Sequence, residues 1–143
     1  KKEQRRSRMI NLASIRTLDR IRKEGNAVLV FPAGTRYRPG ISESKKGVRE
    51  INSYIRISDV MMLVSINGNC LRFSDTPNDM LSDVLHNDRI IMAASPVYDT
   101  KAFREESLEW AGDKAEDKKQ AVVDYVMHNL EIMHEENEVG RLG

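Results

Sequence analysis

A short segment in the first third of the sequence combines residue types that bind phosphate. Arg36 and Arg38 offer planar forks of N–H donors that match phosphate oxygens. Thr35 adds a hydroxyl, and Gly34 lets the backbone approach a ligand closely or adopt a positive φ. Pro32 stiffens the entry to the segment. The segment predicts a small-anion site, although a turn whose arginines pair with surface carboxylates would explain the same residues. It lacks the Gly-x-x-x-x-Gly-Lys-Ser/Thr spacing of a P-loop.

Hydrophobic patterning predicts a strand directly before this segment. Residues 27–31 form a continuous apolar run, which is typical of a strand buried on both faces. Apolar residues that recur every three positions predict an amphipathic helix over residues 7–23, and Gly25 ends it. Because ligands of α/β proteins bind beyond the carboxyl ends of strands, this strand would carry the arginines to such an end.

The remaining pattern predicts a single α/β domain over residues 1–143, with a largely parallel sheet covered by helices. Apolar runs predict two further buried strands, and apolar periodicity predicts further helices, the last of which is a C-terminal amphipathic helix. The predicted strands cover residues 60–66 and 89–94, and the predicted helical segments cover residues 46–56, 80–85 and 114–136.

Charge is unevenly distributed along the 143 residues, although the net charge is only +1. Residues 1–72 hold 16 Lys or Arg and six Asp or Glu, whereas residues 73–143 hold seven and 16. The basic segment 1–8 alone contains five Lys or Arg, which predicts contact with a polyanion or an anionic membrane surface. Aromatic residues are few and do not alternate with the basic ones, so nucleic acid is not the expected partner. Mutual attraction of the two halves is the plain alternative.

Composition argues against several classes of site within this sequence. No unbroken apolar run, residues 60–64 included, is longer than five residues, far fewer than the ~20 residues that span a bilayer. The single cysteine, Cys70, excludes an internal disulfide and fits a reducing compartment. The three histidines have no nearby Cys or His, so no metal site is expected.

The segment Phe-Pro-Ala-Gly-Thr-Arg at residues 31–36 resembles the Phe-Pro-Glu-Gly-Thr-Arg block of the glycerolipid acyltransferase family, which includes 1-acylglycerol-3-phosphate acyltransferases. Lys-Lys-Gly at residues 45–47 resembles the family's Phe-Lys-x-Gly element, which opens the next helix. Ala33 stands where the family has Glu, and Tyr37 stands where it commonly has Ser. The resemblance implies an α/β fold of which this chain is the incomplete carboxyl-terminal portion.

The resemblance also implies a reaction in phospholipid biosynthesis. In the family, a hydroxyl of a lysophospholipid of the 1-acyl-sn-glycerol-3-phosphate type attacks a fatty acyl thioester on coenzyme A or acyl carrier protein. No metal or other cofactor is needed. Arg36 would hold the acceptor phosphate, helped by Thr35 and by the backbone near Gly34. Arg38 and Lys46 are further candidates for the same phosphate.

The family's catalytic motif, His-x-x-x-x-Asp, is absent from this sequence. In that motif the His acts as a general base on the acceptor hydroxyl, and the Asp orients it. His86, His128 and His134 are followed at the fifth position by Ile, Met and Val. The resemblance therefore predicts that the catalytic pair lies upstream and that these residues alone are inactive. It places the parent enzyme at the cytoplasmic side of the membrane, peripheral or anchored by an upstream segment.

A partial sheet predicts self-association, because it would leave a bare strand edge and an exposed apolar face. Two other functions remain as alternatives. A catalytically inactive acyltransferase-like scaffold predicts that the upstream sequence also lacks His-x-x-x-x-Asp. A phosphate- or nucleic-acid-binding module predicts strongly salt-dependent binding to DNA or RNA.

Overall fold

The computed structural model describes residues 2–38, 40–73, 82–112 and 116–142, and these residues form a mixed α/β structure. They contain four α-helices, a 3₁₀ helix and six short β-strands. The helices are α1 (Lys2–Lys23), α2 (Ile51–Ile57), α3 (Thr100–Ala111) and α4 (Lys118–Leu142), and the 3₁₀ helix is Ser42–Lys45. The strands are β1 (Val60–Met61), β2 (Val64–Asn67), β3 (Leu71–Arg72), β4 (Val84–Leu85), β5 (Ile91–Ala94) and β6 (Tyr98–Asp99).

The strands form three successive pairs along one interrupted antiparallel ribbon. β1 pairs with β6, β2 pairs with β5, and β3 pairs with β4. Met61 lies opposite Tyr98, and Val64 lies opposite Ala94. The second arm therefore has one residue more than the first between these two pairs, which is the arrangement of a β-bulge.

Ser95 holds the ribbon together at this bulge. Its N–H donates to the Leu63 carbonyl at 2.9 Å, and its hydroxyl accepts from the Leu63 N–H at 3.0 Å. The next residue is Pro96, which has no N–H to contribute to a ladder. The break between β1 and β2 is thus bridged by a side chain instead of by regular pairing.

The parallel sheet predicted from the sequence is wrong, since every strand pair in the described residues is antiparallel. A parallel pair needs a crossover connection, usually a helix. No such helix connects β3 to the next strand in the described residues. Residues 84–85, predicted to be helical, instead form β4, which pairs with β3 in the antiparallel direction. Residues 80–81 of that predicted helical segment lie outside the described residues.

The core lies where α4 packs against α2, α3 and the ribbon. Val122, Val123 and Val126 of α4 are buried in one cluster with Ile55 of α2 and Phe103 of α3. Removal of this apolar surface from water is the main contribution that holds the helices on the ribbon.

Hydrogen bonds also join α4 to the ribbon. The buried Asn67 side-chain N–H group of β2 donates to the His134 carbonyl at 2.7 Å and to the Glu138 carboxylate at 2.9 Å. The Asn137 side chain donates to the Ser65 hydroxyl at 3.1 Å. These contacts explain why α4 continues to Leu142, beyond the predicted end at residue 136.

Other predicted elements are confirmed in part. The amino-terminal helix forms and begins at Lys2 instead of residue 7. The helix predicted over residues 46–56 begins only at Ile51, because residues 42–45 form the 3₁₀ helix and residues 46–48 have no regular structure. Helix α3 was not predicted, and residues 114–115 of the C-terminal helix lie outside the described residues.

The strand predicted over residues 27–31 does not form in the described part of the chain. Val28, Leu29 and Phe31 are exposed, and only Val30 packs against the core. A strand needs a neighbour that satisfies its N–H and C=O groups, and none of the described strands pairs with this segment. The apolar run therefore presents most of its side chains to solvent.

Candidate phosphate-binding loop

The basic loop, defined here as residues 32–47, is closed at its base. Gly34 has a φ of 64°, a conformation that favours glycine, and its N–H donates to the Phe31 carbonyl at 3.2 Å. The Val48 N–H donates to the Pro32 carbonyl at 2.8 Å. This hydrogen bond holds the first residue of the loop beside the residue that follows its end.

Gly47 fixes the carboxyl end of the loop against α4. A Cβ at this position would collide with a methyl carbon of Val123 and would lie 3.0 Å from Met127 Cγ. The Gln120 side chain donates to the Gly47 carbonyl at 3.1 Å. Gly47, which matches the glycine of the family's Phe-Lys-x-Gly element, is thus the residue at which the loop packs directly against α4.

Ser44 holds the middle of the loop. Its buried hydroxyl accepts from the Arg38 N–H at 2.8 Å and donates to the Ile41 carbonyl at 2.6 Å. Arg38 and Ile41 form an isolated antiparallel bridge, with Gly40 between them at a φ of 81°. This turn fixes the backbone that carries Arg38.

The guanidinium of Arg36 is held by the hairpin of β3 and β4. Its Nη1 donates to the Leu71 carbonyl at 2.9 Å, and its Nη2 donates to the Asp83 carboxylate at 2.5 Å. The Asp83 side chain is 6% exposed, whereas the Arg36 side chain is 40% exposed. Because a buried carboxylate without a cation is costly, this ion pair has a structural role whatever else Arg36 does.

Phe73 brings the two arginines together. Its ring centroid lies 3.9 Å from Cζ of Arg36 and 5.2 Å from Cζ of Arg38. Both distances are within the range of a cation–π interaction. Two positive charges therefore converge on one aromatic ring, which concentrates positive potential at the surface of the basic loop.

The two lysines of the loop have different partners. Lys45 Nζ lies 2.9 Å from the Glu131 carboxylate of α4 and 4.9 Å from the Tyr37 ring centroid. The hydrogen bond to Glu131 raises the pKa of Lys45, and the same bond lowers the pKa of Glu131. Lys46 pairs with Glu43 at 2.8 Å, and both side chains are exposed. An exposed local pair of this kind contributes little to stability.

Of the five predicted site residues, the structure brings Arg36 and Arg38 together at one ring. Gly34 has the positive φ that the turn requires. The Thr35 side chain is exposed, and its hydroxyl makes no hydrogen bond within the described residues. Lys46, directly after the 3₁₀ helix, forms an exposed ion pair with Glu43. The alternative expected from the sequence is a turn whose arginines pair with carboxylates. Arg36 does form one such ion pair, with Asp83.

Phe73 and Asp83 were missed by reasoning from the sequence. Both lie far from the loop along the chain: Phe73 follows β3 directly, and Asp83 reaches Arg36 because β4 pairs back onto β3. No spacing motif connects either residue to Arg36. The only signal was chemical, because carboxylates and aromatic faces are the common partners of an arginine side chain.

The histidines have packing or backbone contacts in this structure. The His128 ring stacks on Trp110 with centroids 5.1 Å apart, and the His134 carbonyl accepts from Asn67. In residues 2–38, 40–73, 82–112 and 116–142, no group of His, Cys, Asp or Glu is arranged to hold a metal ion. None of the helices within these ranges is both long and apolar enough to cross a membrane.

Comparison of the chain with protein-family models, curated proteins and solved structures finds no match.

Proposed function

We propose that this chain supplies the acceptor-binding part of a glycerolipid acyltransferase. In the proposed reaction, a hydroxyl of a lysophospholipid attacks the acyl thioester of acyl-CoA or acyl carrier protein. A C–O ester bond forms, the C–S bond breaks, and the thiol leaves with the proton of the hydroxyl. The basic loop binds the phosphate of the acceptor and so positions its hydroxyl for attack.

The observation that supports this proposal most is the convergence of Arg36 and Arg38 at Phe73. Phosphate recognition favours arginine, because its planar donors match pairs of phosphate oxygens. Thr35 lies next to Arg36 with an exposed side chain, and Gly34, which has no side chain, presents its backbone at an exposed turn. A phosphate bound here could accept hydrogen bonds from the charged guanidinium groups and from the uncharged Thr35 hydroxyl.

The ion pair of Arg36 is compatible with ligand binding. A guanidinium carries five N–H donors, and the Leu71 carbonyl and the Asp83 carboxylate accept from two of them. Asp83 and Phe73 fix the plane of the guanidinium, while the side chain remains partly exposed. A cation that is already oriented loses less conformational entropy when it binds a phosphate.

The proposal assigns no catalytic residue to this chain. No histidine in the sequence is followed at the fifth position by aspartate, so the general base would come from residues outside it. Ala33 removes one negative charge that the resembling family has within this block. The basic segment 1–8 would contact anionic headgroups at the cytoplasmic membrane surface, where acceptor lipids lie.

Acyl transfer by the full-length parent protein tests the proposal. Arg36→Ala is expected to lower kcat/KM for lysophosphatidate by roughly 10- to 100-fold, because a charge-assisted contact contributes ~1.5–3 kcal/mol. A monoacylglycerol acceptor, which lacks the phosphate, should show no comparable loss. Arg89→Ala removes an exposed cation outside the loop and should keep kcat/KM within about twofold.

A second variant separates binding from folding. Arg36→Ala leaves the buried Asp83 carboxylate unpaired, so the double variant Arg36→Ala with Asp83→Asn removes both charges. Unchanged lysophosphatidate kinetics in a folded double variant would remove Arg36 from the acceptor site. Absence of any acyl transfer, together with an upstream sequence that lacks His-x-x-x-x-Asp, would favour the inactive scaffold instead.

A salt titration distinguishes the nucleic-acid-binding alternative. A DNA- or RNA-binding module would bind an oligonucleotide with an affinity that falls steeply as salt rises. The acyltransferase proposal predicts only weak, non-specific retention of oligonucleotides.

A further inference from the structure

A second group of cations lines a surface depression between the end of α2 and the start of α3. Its volume is about 220 Å³. At ~30 Å³ for each water of the liquid, this space is large enough for a phosphate or pyrophosphate group. The lining residues are all polar or charged: Arg56, Ser58, Asp59, Asp99, Thr100, Lys101 and Arg104.

The two carboxylates of the depression already have partners. Asp59 accepts from Arg22 Nη1 of α1 at 2.5 Å. Asp99 caps α3 by accepting from the Ala102 N–H at 2.8 Å. The charge of Asp59 is thus balanced by an arginine outside the depression, whereas Asp99 is bound by a backbone N–H, so the lining holds three cations against one carboxylate without a cationic partner.

The three cations of the depression have no such partner. Within the described residues, Arg56, Lys101 and Arg104 form no ion pair, although two carboxylates line the same space. The Nε of Arg104 is buried and donates to no acceptor in the described part of the chain. A buried donor without an acceptor is costly, and adjacent like charges repel each other. An anion in the depression would offset the repulsion among the three cations.

We propose that this depression, called the α2–α3 site, binds the phosphate group of a soluble phosphorylated small molecule. Arg56, Lys101 and Arg104 supply the positive charge and the N–H donors. A soluble ligand is favoured over a lipid headgroup because no apolar side chain lines the depression, whereas surfaces that bind lipid present apolar anchors. The α2–α3 site shares no residue with the basic loop and does not depend on the function proposed for that loop.

Calorimetric titration of the 143-residue chain with pyrophosphate tests the site, with sodium chloride of matched ionic strength as the reference. The double variant Arg56→Ala with Lys101→Ala, whose side chains are exposed, should bind pyrophosphate at least about 10-fold more weakly. Arg104→Ala should show a loss of similar size. Lys118→Ala removes an exposed cation from the start of α4, outside the depression, and should bind within about twofold of wild type.

Further arms identify the source of the phosphate and the location of the site. Equal binding by wild type and the double variant would overturn the proposal, as would equal competition by chloride. Binding lost in Arg36→Ala but kept in the double variant would place the phosphate at the basic loop and also overturn it. If the wild type binds phosphatidate vesicles but not free pyrophosphate, and the double variant loses the vesicle binding, the proposal of a soluble ligand is overturned. If Arg104→Ala fails to fold, the exposed double variant still decides the outcome.

Discussion

Two apolar regions of this chain differ in whether their side chains are buried. In the helical core, Phe103 is only 2% exposed and packs with valines of α4. In the segment before the basic loop, Leu29 is 78% exposed and Phe31 is 67% exposed. The comparison shows that an apolar run becomes buried only where another element supplies a surface to cover it. The core has such surfaces, and residues 27–31 find almost none among the described elements.

The largest expected effect is on the buried side of this comparison. Phe103→Ala should reduce the free energy of unfolding by about 3–5 kcal/mol, because it removes a buried ring and leaves a cavity. Phe31→Ala removes the same kind of side chain from an exposed position and should change the free energy of unfolding by less than about 0.5 kcal/mol. Urea unfolding of both variants measures the difference. Similar losses in the two variants would show that residues 27–31 are buried in solution.

Gly47→Ala probes the place where the basic loop contacts the core. The added Cβ would collide with Val123 and crowd Met127, so a loss of about 1–3 kcal/mol in the free energy of unfolding is expected. Gly140 lies within α4 with no atom near its missing Cβ. Gly140→Ala should therefore be neutral or stabilising by up to about 1 kcal/mol. Equal behaviour of the two variants in thermal unfolding would mean that the loop does not pack on α4 as described.

Self-association tests the exposed side of the comparison. If a second copy covers residues 27–31, Leu29→Lys should weaken dimerisation by about 10-fold or more, because burial of a leucine contributes ~1.5–3 kcal/mol. Val139 of α4 is equally exposed, and Val139→Lys should leave the association within about twofold. Sedimentation equilibrium measures both. A wild-type chain that stays monomeric at high concentration would contradict the expected self-association.

A smaller, pH-dependent effect is expected where α4 meets the ribbon. Hydrogen bonds from Arg141 and then Asn67 lower the pKa of Glu138 from 4.5 to about 2. Below pH 4.5 the unfolded chain therefore binds more protons at this carboxyl than the folded chain does. The resulting stability is fully present above that pH and is lost as pH falls toward 2.

The variant Glu138→Gln should flatten this part of the acid-unfolding curve. Its unfolding midpoint in urea is expected to fall less steeply between pH 4.5 and 2 than that of the wild type. Glu136 is exposed on the same helix, and Glu136→Gln should keep the wild-type slope. Parallel slopes for wild type and Glu138→Gln would show that the Glu138 contacts do not form in solution.

Helix periodicity made α1 and α4 predictable, but it could not reveal α3. The buried residues of α3 are Phe103 together with Thr100 and Ser107, so the face that packs inward is largely polar. Thr100 is satisfied there because its hydroxyl donates to the Ser58 carbonyl at 2.5 Å. Only one of the three buried positions of α3 is apolar, so its apolar residues did not by themselves mark the packed face.

Strand positions were also easier to predict than strand directions. The apolar runs that became β2 and β5 are evident in the sequence, but their antiparallel register depends on the chain reversing after β3. The candidate site shows the same limit. Arg36 and Arg38 could be named from residue chemistry, whereas Phe73 meets them at the end of β3 and Asp83 meets Arg36 because the chain pairs back onto β3.

The most direct test of the central claim is a calorimetric titration of the 143-residue chain with a short-chain, monomeric lysophosphatidate. The phosphate-bearing lipid should bind at least about 10-fold more tightly than the monoacylglycerol of the same chain length. This preference should disappear in Arg36→Ala with Asp83→Asn and persist in Arg56→Ala with Lys101→Ala. Equal affinity for the two lipids, or a preference that survives loss of the Arg36 guanidinium, would contradict phosphate binding by the basic loop.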